Sequence, residues 1–153
     1  RFIYIHNWTN NPCRWWFFYY IKSKMTKNFD IDIPFVDFIG IYLIEKKNGY
    51  SKLGINLKEE YKNSWGAVHG GVLCSLLDVT LATSARALDT NCIGAITIEF
   101  KINFIKPATT DFFAEANSLK SGKSIIYSEG KIIDKNNNTI AAANGSFKLI
   151  YNN

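Results

Sequence analysis

Cysteine is scarce and unpatterned in this 153-residue chain: Cys13, Cys74 and Cys92 are odd in number, and no two stand in a CxxC spacing. That argues against a disulfide framework and a zinc site, and it fits a reducing, cytoplasmic setting. No apolar run approaches the roughly 18 residues that cross a bilayer, so no membrane partner is expected. There is no GxSxG elbow, no phosphate loop and no GxGxxG, and no recognisable metal-ligand motif on a helix. Those absences exclude the serine-hydrolase elbow and the common nucleotide-binding loops, and they leave no metal expected. Proline is held to three residues and methionine to one, Met25.

Positive charge is also thinner than it looks. The net charge is +5, but Arg1, Arg14, Lys22 and Lys24 stand in the first 24 residues without a single acid, and the remainder is close to neutral. A basic balance confined to one short end does not make a nucleic-acid-binding surface, so no nucleic-acid partner is expected. The same stretch holds Trp8, Trp15 and Trp16, three of the four tryptophans, and lacks the layout of a signal peptide. Because Met25 follows directly, we expect residues 1–24 to be a non-native or mis-called extension and residues 25–153 to form one domain. A membrane-interface anchor built on Trp15–Ile21 and an extra strand are the competing readings.

What is present is a succession of strand-like runs around one long helix. Phe35–Glu45 and Tyr50–Leu57 flank Asn48-Gly49, a dipeptide that tolerates positive φ and so marks a hairpin. Gly94–Lys106 alternates, with Ile96, Ile98, Phe100, Ile102 and Phe104 predicted on one face and Thr97, Glu99, Lys101 and Asn103 on the other. Pro107 ends it. Phe112–Leu119, Ser124–Ile133 and Thr139–Tyr151 supply three more strands, with a turn over Lys120–Lys123. One helix must then cover the apolar face of an antiparallel sheet, and wrapping the sheet around that helix is the economical solution. The expected class is α+β.

The helix begins at His69-Gly70-Gly71, and between His69 and Arg86 its only charged side chain is Asp78. At about 100° per residue, Asp78 shares a face with Gly71, Cys74, Ser75, Leu81, Ala82 and Ala85, mostly small residues that permit a close approach by another backbone. Leu73, Leu76, Thr80 and Ala87 stand opposite, flanked by Val72, Leu77 and Val79, and should meet the sheet. His69 and Asp78 are nine residues apart. They therefore point to opposite sides, about 13 Å apart along the axis. If both serve one reaction, a symmetric dimer is the simpler geometry. Free amides at Gly70 and Gly71 can donate to an oxygen gaining negative charge, and a carboxylate in apolar surroundings can deprotonate water or attack a carbonyl carbon. Acyl transfer or ester hydrolysis suits that pair. Taken singly, His69 also reads as a simple cap and Asp78 as a polar contact across a dimer.

The run Asn63-x5-His69-Gly70-Gly71-x6-Asp78, followed by the strand from Gly94 to Pro107-Ala108, resembles hot-dog-fold acyl-CoA thioesterases of the PaaI / 4-hydroxybenzoyl-CoA thioesterase type over roughly residues 34–151. The resemblance implies an antiparallel sheet wrapped around one long central helix, homodimers with sites across the interface, and further pairing into tetramers as a dimer of dimers. It implies Asp78 as nucleophile or general base, the Gly70 amide as polariser of the thioester carbonyl, and His69 and Asn63 as its supports. Thr97 stands where the family often has a hydroxyl that holds the carboxylate or water. Gly71 and Trp65 fall on the substrate side, with Trp65 a candidate for the acyl pocket. No cofactor is implied; coenzyme A enters as part of the acyl-CoA substrate. Two alternatives remain: a hot-dog acyl-thioester dehydratase or hydratase, and a non-catalytic acyl-CoA-binding domain.

Overall fold

The computed structural model describes residues 29, 31–119 and 125–152. The aromatic N-terminal segment 1–24 and the turn expected over 120–123 lie outside the described residues. A short helix, α1 (Pro34–Phe38), leads into β1 (Ile41–Lys47) and β2 (Tyr50–Ile55); a 3-10 turn (Glu59–Tyr61) and a loop then reach α2 (Gly70–Arg86). Strands β3 (Gly94–Phe104), β4 (Phe112–Leu119), β5 (Ile125–Asp134) and β6 (Thr139–Ile150) complete the order. All pairings are antiparallel, in the spatial order β1-β2-β4-β5-β6-β3. The helix–β3 unit thus carries the chain from one side of the sheet to its far edge.

The expected first strand is shorter than Phe35–Glu45. Pro34 stands at the first helical position, where its fixed φ suits a helix and its missing N–H costs no bond, so Pro34–Phe38 turns helically. Gly40 at φ +69° then redirects the chain into β1. The hairpin stands where Asn48-Gly49 placed it, both residues in the left-handed region at φ 45° and 80°.

Helix α2 touches all six strands, so the sheet wraps it as expected. Leu73, Leu76, Leu77 and Thr80 are buried, as the helical wheel requires. Leu81 and Ala85 are buried as well, although the wheel put them beside Asp78. A single flat sheet would bury one side; a curved one also encloses the helix's C-terminal half. Polar pins fix the helix there. Ser51 Oγ on β2 donates to the Thr80 carbonyl at 2.7 Å, and Ser84 Oγ meets Ser118 Oγ of β4 at 2.7 Å and Ser128 Oγ of β5 at 3.3 Å. These buried hydroxyls are satisfied, so they locate the helix without the penalty of an orphaned polar group.

Strand β3 departs from its predicted alternation. A β-bulge between Thr97 and Glu99 lets Ile98 take no ladder partner. Before the bulge Ala95 and Thr97 stand opposite Leu149 and Phe147; after it Phe100, Ile102 and Phe104 stand opposite Gly145, Ala143 and Ala141. Those β6 residues are all buried, so Ala95, Thr97, Phe100, Ile102 and Phe104 face the helix. Ile96 and Ile98, expected on the core face, are 58% and 54% exposed. An extra residue inserted in a period-two strand inverts the facing of everything beyond it.

Candidate active site

Two clusters stand on α2, one at its N-terminus and one at its middle. The first is prepared by the loop before it. Asn63 Oδ1 accepts from the Trp65 N–H at 2.9 Å and the Ala67 N–H at 3.2 Å. The Asn63 N–H donates to the Ala67 carbonyl, and Gly66 closes the turn at φ +78°. Asn63 is therefore a loop organiser first, with the short side chain that turns of this kind demand. The His69 N–H then donates to the Tyr61 carbonyl at 2.7 Å, fixing the entry to the helix.

His69 is the helix N-cap, its Nδ1 accepting from the Gly71 N–H at 3.0 Å. An accepting Nδ1 carries no proton, so in this arrangement the neutral ring bears its proton on Nε2. A Cβ on residue 71 would stand 3.1 Å from Nδ1, which accounts for the second glycine. The Val72 and Leu73 N–H groups go to the His69 carbonyl. Of the first turn's donors, the Gly70 N–H alone has no acceptor among the described residues. The two glycines, equivalent on paper, separate here: Gly71's amide is spent on the cap, and Gly70's stays available at the positive end of the helix.

The second cluster is Asp78 with Thr97. Thr97 Oγ1 donates to Asp78 Oδ1 at 2.8 Å, an arrangement the bulge permits by turning Thr97 toward the helix. Partial burial pushes the Asp78 carboxyl above the usual carboxylate range, and the Thr97 hydroxyl opposes that by binding the ionised form. Cys74, one turn earlier on the same face, is itself raised by burial and by the Asp78 charge; it stays a thiol and no nucleophile.

Asn63, His69, Gly70 and Gly71 come together at one end, and Asp78 joins Thr97 at the other, but one chain does not unite the two clusters. Gly70 and Asp78 are eight residues apart on one straight helix, about 12 Å along its axis. The Trp65 side chain joins neither cluster, the residue being 92% exposed at its loop tip and tied to Asn63 through its backbone N–H alone. One residue escaped the sequence reading. The Phe104 ring lies over Gly70, 3.3 Å from where a Cβ would be. Among the described residues no group of three His, Cys, Asp or Glu side chains could hold a metal, and no helix is long and apolar enough to cross a membrane.

An antiparallel sheet curled around one long helix is the hot-dog fold. The sequence profile of the thioesterase superfamily matches residues 66–141. A Saccharolobus solfataricus protein named as a putative esterase is 35% identical over 112 residues, 72% of this chain and 74% of its own length. A protein of the same designation from Sulfurisphaera tokodaii is 31% identical over 114 residues, 74% of this chain and 84% of its own. The chain belongs to the thioesterase superfamily. Among solved structures, the Escherichia coli PaaI protein from the phenylacetic acid degradation operon superposes with a TM-score of 0.72 at 20% identity, over 86% of this chain and 94% of that one. A thioesterase family protein from Silicibacter pomeroyi gives 0.74 at 18% identity, over 86% and 99%. At these identities the structures speak for the fold, and the family supports hydrolysis of thioesters or esters as the class of chemistry.

Proposed function

We propose that this protein hydrolyses acyl-CoA thioesters to the free acid and coenzyme A, in a homodimer whose sites lie across the subunit interface. The observation that carries the reading is the division of labour on α2: an unspent Gly70 N–H at its start and a half-buried carboxylate held by Thr97 at its middle. The thioester carbonyl oxygen accepts from the Gly70 N–H of one subunit, and Asp78 of the second subunit faces the carbonyl carbon. Asp78 either attacks that carbon or removes a proton from a water that does; both routes need the ionised carboxylate. Negative charge grows on the carbonyl oxygen, where a preoriented amide at a helix N-terminus is most effective. The carbon–sulfur bond then breaks and the coenzyme A thiolate leaves, taking up a proton from solvent; on the route where Asp78 attacks, water then hydrolyses the acyl–Asp78 anhydride to the free acid and restores the carboxylate. His69 holds Gly71 and so fixes the first turn, and Asn63 holds the loop that delivers His69. Dimers pairing into tetramers and a cytoplasmic location complete the proposal; no cofactor or metal enters.

A dehydratase would use a histidine and an acid together on one substrate. Here His69 Nδ1 is engaged as a cap, and Asp78 lies on the far side of the helix. The direct test is thiol release from a panel of fatty-acyl- and aryl-CoA substrates. Release above the uncatalysed rate is expected for some members. Binding without release would make this an acyl-CoA-binding domain, and hydration of an enoyl-CoA would make it a hydratase.

The pH dependence follows from the Asp78 environment. Burial raises its carboxyl, so activity should fall on acidification at a pH above the ordinary carboxylate range. In Thr97→Val the opposing hydrogen bond is gone, the carboxyl rises further, and the acid limb of the kcat profile should move to higher pH. An acid limb that stays in place would remove Thr97 from the site.

A further inference from the structure

The Phe104 ring has no part in the chemistry above, yet it lies against Gly70, whose amide has no acceptor among the described residues. A Cβ at residue 70 would meet Cζ at 3.3 Å and Cε1 at 3.4 Å. The ring is on the helix-facing side of β3, opposite Ala141, but it is 55% exposed, whereas Phe147 and Phe112 on the same side of the sheet are 0% and 7% exposed. A phenyl group left half uncovered has apolar surface available for something else to cover. Its position depends on the bulge. Thr97 and Phe104 are seven residues apart, an odd spacing that points them to opposite faces of an uninterrupted strand. The extra residue at Ile98 brings both to the helix. One strand therefore supplies the group that holds Asp78 and the ring that borders Gly70.

We propose that Phe104 is a specificity-determining residue: its ring is the wall beside which the acyl group lies when the thioester oxygen is held by the Gly70 N–H, and it limits bulk next to the carbonyl carbon. The proposal rests on the thioesterase reading above. The ring touches Gly70 at its Cα side, so the substituents it meets are those on the carbon adjacent to the carbonyl. Branching at that carbon is what the wall resists, and chain length further out is not.

Butyryl-CoA and isobutyryl-CoA test this, because they are isomers that differ only in branching at that carbon. For the full-length protein, the isobutyryl-to-butyryl ratio of kcat/KM should rise roughly tenfold in Phe104→Ala, rise less in Phe104→Leu and fall in Phe104→Trp, the scale expected for a methyl group in an apolar pocket. A ratio unchanged within about twofold across the three variants overturns the proposal. Equal loss on both isomers together with a weaker dimer also overturns it, since the ring would then serve subunit packing. If the wild type releases thiol from neither isomer nor from any other acyl-CoA, the thioesterase reading itself fails. Release with unmoved selectivity sinks the Phe104 role alone. Phe104→Leu keeps the test decisive if the alanine variant folds poorly.

Discussion

Asp78→Ala is expected to lower kcat/KM for acyl-CoA hydrolysis at least about a hundredfold, the usual consequence of deleting a positioned proton-transfer group. Asp78→Asn should lose as much, because an amide keeps the shape and a hydrogen bond to Thr97 but can neither attack carbon nor take a proton. Thiol release under saturating and limiting substrate gives the split: kcat should collapse while KM changes little, since the group acts mainly after the substrate is bound. Activity equal to wild type in either variant would end the assignment.

The asparagine variant carries a second, opposite signature. Burial raises the folded-state pKa of Asp78 above its unfolded value. Between those two values the folded chain holds a proton that the unfolded chain has lost, so stability falls as pH rises through the window and remains lower above it. A side chain that cannot ionise escapes this. Asp78→Asn should therefore melt at a higher temperature than the wild type at neutral pH, and the difference should vanish in acid. A catalytic carboxylate commonly shows this exchange of stability for activity.

Why some of this was legible beforehand and some was not can be traced to particular residues. Asn48-Gly49 announced its hairpin because the requirement for positive φ is local to two residues. The helix from Gly70 and its buried Leu73, Leu76 and Leu77 followed from period and composition, which are also local. Thr97 beside Asp78 was anticipated only through family resemblance. Strict alternation put Thr97 on the face away from Phe100, and the bulge reversed that. Nothing around Ile98 signals it: the run Ile96-Thr97-Ile98-Glu99-Phe100 alternates cleanly and has no glycine. Register against β6 decided the bulge, and register is a long-range property. Phe104 was hidden for the same reason. The distinction between Gly70 and Gly71 was hidden differently, since it turns on which amide the His69 ring takes, a matter of side-chain rotamer. Leu81 and Ala85 were misplaced because a helical wheel assumes one buried side, whereas the enclosing sheet buries more than that.

Mixing two dead variants should restore activity, and the yield is calculable. In a dimer with cross-subunit sites, each site takes Gly70 from one chain and Asp78 from the other. Gly70→Pro deletes the backbone N–H outright at the first helical position, where proline is tolerated, and loss of such a donor is worth roughly a hundredfold or more in kcat. Asp78→Ala removes the other half. Homodimers of either variant contain two broken sites. A heterodimer of the two contains one site with both defects and one with neither. Random reassortment of equal amounts makes about half the dimers mixed, each with one working site of two, so about a quarter of wild-type activity should return. Co-expression from differently tagged chains, or mixing after reversible dissociation, followed by thiol release, measures it. The outcome separates two geometries that no single variant can distinguish. If Gly70 and Asp78 acted within one chain, every chain in the mixture would still lack one of them, and activity would stay at the level of the parents. The 12 Å that separates them along α2, about eight residues of helix rise, is why recovery is the expected result.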